Sequence, residues 1–188
     1  MSPAEAHWTV LVAHPDTPRE PVSGIAVEVR RPAAGTLVCN YSLHGDVGRV
    51  LLTGPRDGHR ADGLWEHTCF EAFIAAPGVS GYCEFNFSPT LAWAAYEFTD
   101  YRDGMVPASL THAPGLQVRK SPEQLELIAT VYLGGLAALS GASALRLALA
   151  AVVEDYRGRL SYWALEHPPG KPDFHHPDCF VLELPAAG

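Results

Sequence analysis

Apolar residues arrive along this chain in short runs that alternate with polar ones. In GIAVEVRR, Ile25, Val27 and Val29 oppose Ala26, Glu28 and Arg30, the period-2 spacing of a strand with one buried face. Similar runs predict strands at 8–14, 24–31, 36–44, 49–53, 68–75, 81–88, 92–99, 116–120, 124–133, 145–154, 160–165 and 179–184. EDYRGRLSYW reads as a hairpin turning at Arg157 and Gly158. Only 133–151 has a composition open to a helix. Its Gly-Gly and Gly-Ala-Ser breaks favour a short turn followed by a strand. Glycine and proline punctuate the whole chain without forming a linker, and no repeat appears. The prediction is an all-β fold, a two-sheet antiparallel β-sandwich of jelly-roll or immunoglobulin-like type. It occupies residues 1–188 as a single domain.

The hairpin within TCFEAFIAAPGVSGYCEFNFSP shows its register in its pattern. Pairing Ile74 with Cys83 puts Phe70, Ala72, Ile74, Cys83, Phe85 and Phe87 on one wholly apolar face. The other face then carries Glu71, Phe73, Glu84 and Asn86, with Tyr82 nearby. Carboxylates and an amide among aromatics are either a solvated outer face or the wall of a site. Just before this hairpin, in DGLWEHTCFEAFI, Trp65 stands at a loop edge beside Glu66 and His67. The indole is either a plug over the core or a platform for a flat ligand.

Charge narrows the partners. Lys and Arg number 13 against 21 Asp and Glu, a formal net charge of -8. With no basic run, nucleic acid and an anionic membrane surface are not expected partners. The N-terminal MSPAEAHWTVLVAHPD lacks the basic and unbroken apolar regions of a secretory signal, so a cytoplasmic location is expected. Cys39, Cys69, Cys83 and Cys179 form no CxxC pair and are expected to be reduced and buried.

A second unusual stretch is SYWALEHPPGKPDFHHPDCFVLEL. A strand ending near Trp163 runs into a loop in which Pro168, Pro169, Pro172 and Pro177 restrict the backbone. Such a loop can present His167, Phe174, His175 and His176 in a fixed arrangement. The histidines, with Asp173 or Asp178, could serve zinc or copper, but their spacing matches no metal motif, and no metal is predicted. The chain has no GxSxG, Walker A, GxGxxG or HExxH motif, so catalysis is not the primary expectation.

LWEHTCFEAFI followed by GYCEFNFSP resembles the core of the DOMON-like and family 9 carbohydrate-binding-module superfamily. The closing YWALEHPPGKPDFHHPDCFVLEL is similar to the end of such a domain, and the combination resembles small stand-alone bacterial DOMON-like proteins. The resemblance implies a family 9 type sandwich that binds a saccharide or similar polyol without catalysis. It implies Trp65 and Phe174 as aromatic platforms and Glu71 as a carboxylate that accepts hydroxyl hydrogen bonds. Glu84 or Asn86 stands at the neighbouring-strand position. The expected ligand-binding set is Trp65, Glu66, His67, Glu71, Glu84, Asn86, Trp163, His167, Phe174, His175 and His176. No cofactor is expected. The superfamily also contains haem-binding cytochrome domains, so bis-histidine ligation by His67 and His176 is an alternative. A hydrolase or isomerase using Glu71 and His176 is another.

Overall fold

The computed structural model describes residues 6–18, 20–54 and 58–186. The outer limits of the predicted domain, at residues 1–5 and 187–188, lie outside the described residues. The strands are β1 (Ala6–Ala13), β2 (Val22–Ala33), β3 (Thr36–Gly45), β4 (Cys69–Ala75), β5 (Tyr82–Phe87), β6 (Trp93–Phe98), β7 (Val106–Pro107), β8 (Gly115–Lys120), β9 (Gln124–Tyr132), β10 (Leu145–Glu154), β11 (Leu160–Ala164) and β12 (Leu182–Leu184). All pairings between them are antiparallel. Among the described residues, no helix is long and apolar enough to cross a membrane.

Hydrogen bonding follows one path, β7-β6-β5-β4-β10-β11-β1-β2-β3-β9-β8, with β12 also on β10. The hinge of this path is β1. Its residues 6–11 pair with β2, whereas Val12 and Ala13 pair with Trp163 and Ala164 of β11. A strand shared in this way lets the sheet curl until its two halves face each other. The fold is therefore all-β and antiparallel as expected, but its ladder is continuous where two separate sheets were predicted.

Between the facing halves lies one apolar core. Val27, Leu37 and Leu127 from one half meet Phe70, Phe85 and Leu149 from the other, all with no exposed surface. Each such side chain contributes roughly 1.5–3 kcal/mol by leaving water. The Tyr41 hydroxyl crosses this core and donates to the Glu71 carbonyl at 2.8 Å. A buried donor is thereby satisfied and the two halves are tied together.

The predicted hairpin register is the observed one, with Ile74 opposite Cys83 and Phe70 opposite Phe87. Every residue of β4 and β5 is buried, however. A second apolar cluster covers their other face. It brings Phe73, Tyr82 and Phe98 together with Leu64, Phe174 and Phe180 from flanking loops. Of the two alternatives for that face, a solvated surface is excluded: loops distant in sequence lie over it.

Other differences are local. The strand predicted at 49–53 is a 3-10 turn, Val47–Arg49, followed by a single bridge from Val50 to Asp155. Gly54, at a φ of 123°, turns the chain away before a ladder can extend. The last strand begins later than predicted, because Pro177 opens a 3-10 turn, Pro177–Cys179, that holds Cys179 off the sheet. The short β7 escaped notice because its Pro107 reads as a break, and proline in a sheet is confined to edges. The 133–151 region does resolve into a turn, Ala137–Leu139, and then β10.

All four cysteines are free and buried. Burial pushes the Cys39, Cys83 and Cys179 thiols up to about 12, which disfavours the reactive thiolate. A thiol reagent under native conditions should react slowly. Under denaturing, non-reducing conditions it should titrate four thiols, and a count of two or zero would contradict the fold as described.

Candidate functional site

The second cluster is not filled. Above β4 and β5 lies a cavity of about 380 Å³ lined by Trp65, Glu71, Glu84, Tyr96, Phe98, Arg102, Met105, Val152, Tyr162, Pro172, Phe174 and His175. Its floor comes from alternation. Glu71 and Glu84 point away from the core because their neighbours Phe70, Ala72 and Phe85 point into it. Glu71 pairs with Asn86 and Phe73 with Glu84, so the two glutamates are diagonal neighbours, with Cβ atoms roughly 7–8 Å apart.

A 3-10 turn, Leu64–Glu66, places the indole. Gly63 enters it at a φ of 75°, a left-handed conformation that glycine adopts without strain. Leu64 is buried as an anchor, and Trp65 remains 39% exposed with its ring edge-on to Tyr96 at 5.9 Å. Trp65 is therefore a half-exposed wall of the cavity rather than a core plug. Phe174 lines the same cavity but is only 8% exposed and packs near Tyr162 at 6.2 Å.

Two loops are fastened above the floor. Arg102, in the β6–β7 loop, reaches Asp173 of the late loop with Nε at 3.1 Å and Nη2 at 2.7 Å from Oδ1. The Tyr101 hydroxyl donates to the other oxygen of the same carboxylate. The Arg102 backbone N–H donates to the Tyr82 hydroxyl at 3.2 Å, and that hydroxyl lies 2.7 Å from His175 Nδ1. A tyrosine oxygen that accepts from a backbone N–H still has its own proton to donate, so the contact is compatible with a neutral imidazole protonated on Nε2. His175 Nε2 sits 3.7 Å from Glu84 Oε2, facing it without a close hydrogen bond. Burial, reinforced by the Arg102 charge, lowers the imidazole to about 4, so His175 is neutral at physiological pH.

The floor is electrostatically unusual. Glu71 Oε1 is buried with no hydrogen-bond partner. Burial, and then the adjacent Glu84, push the Glu71 carboxyl well above the ordinary carboxylate range, against a smaller opposing pull from Arg102. Burial also raises Glu84, although the Asn86 hydrogen bond and Arg102 hold it back. Asn86 Nδ2 donates to Glu84 Oε1 at 2.6 Å, and its Oδ1 faces Cys69 Sγ at 3.7 Å.

Of the residues singled out from the sequence, Trp65, Glu71, Glu84, Phe174 and His175 meet at this cavity. The others are placed elsewhere. Asn86 is fully buried behind Glu84 and orients it. Trp163 faces the central core, with Nε1 donating to Ser161 Oγ at 3.0 Å. His167 bonds the Val12 carbonyl through Nε2 at 2.8 Å and stacks edge-on with His14. Glu66 and His67 are exposed and line a shallower groove on the far side of Trp65, where His67 Nδ1 lies 2.7 Å from Glu154 Oε2. His176 caps the 3-10 turn after it, its Nδ1 accepting from the Asp178 N–H at 3.2 Å, and it lines a separate groove with Tyr101 and Pro168. Neither His67 with His176 nor Glu71 with His176 shares a cavity. Among the described residues, no three His, Cys, Asp or Glu side chains are grouped so as to hold a metal ion.

Tyr96, Phe98, Arg102, Met105 and Tyr162 were not anticipated as lining residues. Arg102 left a faint signal, an arginine between Tyr101 and Asp103 in a turn. It adopts a φ of 52°, uncommon for a residue other than glycine.

No protein-family model and no curated protein matches the chain. Solved structures do resemble it. A Bacteroides uniformis protein described provisionally as carbohydrate-binding aligns with a TM-score of 0.66 at 15% identity, over 94% of this chain and 84% of that one. A family 9 carbohydrate-binding module from Caldicellulosiruptor kristjanssonii, solved with cellotriose, aligns with a TM-score of 0.54 at 9% identity, over 88% and 75%. The same module type from that organism with glucose gives 0.52 at 9% identity, over 88% and 76%. At such identities the likeness is one of fold. The chain has the all-β fold of family 9 carbohydrate-binding modules.

The raised Glu71 carboxyl makes a prediction with a definite sign. Between the ordinary value of 4.5 and its folded value, the native state binds the extra proton, so this group withdraws stability as pH rises through that window. His175, lowered to about 4, acts in the opposite direction, so the informative quantity is the difference between Glu71→Gln and wild type. Urea unfolding should show the variant gaining on wild type as pH rises above 4.5, by up to about 1.4 kcal/mol per pH unit. A variant whose relative stability is constant or falls with pH would show that Glu71 is ionised at little cost.

Proposed function

We propose that this protein is a non-catalytic binding domain for a saccharide or similar polyol, held in the cavity above Glu71 and Glu84. The observation that carries this reading is the convergence of a half-exposed indole with two buried carboxylates in one cavity of about 380 Å³. A sugar presents apolar C–H faces and a rim of hydroxyls. Trp65 offers a surface for stacking, Phe174 and Tyr162 line the same cavity, and hydroxyls near the floor meet the carboxyl groups of Glu71 and Glu84 as acceptors. Discrimination follows, since a ligand without donors would cover the Glu71 and Glu84 carboxyls without compensating their lost hydration. The fold likeness to modules solved with cellotriose and glucose supports the same class of ligand. Recognition of this kind needs no cofactor. The curled sheet acts as a sandwich-like scaffold, and a cytoplasmic setting suits four reduced thiols.

A thermal-shift screen of neutral and amino monosaccharides and short oligosaccharides, followed by calorimetry, tests the reading. At least one sugar should bind, and Trp65→Ala should weaken it by about 1–3 kcal/mol. The same change should cost the fold only roughly 1–2 kcal/mol, because the ring is partly exposed already. Trp163→Ala is the control: truncation in the central core should cost about 3–5 kcal/mol of stability. Absence of any sugar binding, or binding indifferent to Trp65→Ala, would refute the assignment.

A further inference from the structure

Resting on the saccharide reading, we infer that the site selects a sugar carrying a protonated amine over its neutral counterpart, with the ammonium seated between Glu71 and Glu84. Two acidic side chains with almost no exposure, 3% and 5%, share the floor of the cavity. Among the described residues, neither forms an ion pair with a lysine or arginine, and the nearest basic group to Glu84 is His175 Nε2 at 3.7 Å. Among the described residues Arg102 is the one arginine or lysine lining this cavity, and its Nε and Nη2 are both committed to Asp173. His175 Nε2 faces Glu84 without a close hydrogen bond, and burial of the imidazole among Phe73, Tyr82 and Phe98 keeps it neutral. Asn86 supplies one donor to Glu84 Oε1, whereas Glu71 Oε1 receives none.

A neutral hydroxyl would satisfy one oxygen and leave the cost of charging both buried carboxyls in place. An ammonium carries three donors and a positive charge, so it satisfies both carboxylates and offsets that cost. The walls suit the same charge, because Trp65, Tyr96 and Phe98 line this cavity and an aromatic ring that turns its face to an ammonium attracts it. Burial already raises both carboxyls when the site is unliganded, and a bound cation would return them to their charged forms.

Calorimetry with D-glucosamine, D-glucose and N-acetyl-D-glucosamine near neutral pH tests the inference. Glucosamine should bind on the order of 10-fold or more tightly than either neutral sugar. In Glu71→Gln and in Glu84→Gln that ratio should collapse towards one. Circular dichroism and thermal melting of each variant establish that it remains folded, and the two substitutions serve as independent checks. Equal binding of glucose and glucosamine, both weakened by Trp65→Ala, would overturn the amine preference while leaving saccharide binding intact. A preference for glucosamine that survives both substitutions would place the amine elsewhere and also overturn it. If none of the three binds while another neutral sugar from the screen does, the amine preference fails and saccharide binding stands; if no sugar binds at all, both fail together.

Discussion

The pairing of β4 with β5 in a single register governs both the core and the site. With Ile74 opposite Cys83, the apolar side chains of both strands fall on one face and close the central core. The same alternation obliges Glu71 and Glu84 to share the opposite face. A slip of one residue would exchange the two sets, placing carboxylates in the core and phenylalanines in the cavity. Structural stability therefore fixes the position of the acidic floor, and the floor needs no separate determinant.

A carboxylate on an outer strand face ordinarily meets water. Here the late loop and the β6–β7 loop cover it, joined by Asp173 to Arg102 and Tyr101 and by Tyr82 to His175. Covering raises the cost of charge on Glu71 and Glu84 and creates a partly enclosed volume beside the aromatic walls. The proline-rich composition of the late loop limits the entropy lost in holding that cover in place. Electrostatic strain at the floor and recognition of a donor-rich ligand are then two aspects of one arrangement.

Much of the fold was legible because period-2 alternation reports directly on a strand with one buried face. β2 shows this, with Ile25, Val27 and Val29 buried and Arg30 exposed. The hairpin register was legible for the same reason. What alternation could not show was the burial of the second face, since Phe174 and Phe180 come from a loop far along the chain. It also could not choose between His175 and His176. Adjacent loop residues diverge, and the choice depends on Pro177 starting a turn that His176 caps. Trp163 was misplaced for a related reason: on β11 the aromatic residue on the core side is Trp163, while its neighbour Tyr162 faces the cavity. The family resemblance pointed to Trp65 and Glu71, which line the cavity, but the surrounding aromatics Tyr96 and Phe98 sit on an otherwise ordinary strand and carried no distinguishing pattern.

The most direct test of this account is a crystal structure of the protein with a bound sugar identified by screening. We expect the sugar ring against the Trp65 indole, with polar groups directed at Glu71 and Glu84 and the Arg102–Asp173 contact intact. The exposed Trp8, Val10 and Val12 on the outer face of β1 offer the sugar a different apolar surface. A sugar bound there, or anywhere away from the cavity, with Trp65 and the two glutamates untouched, would contradict it.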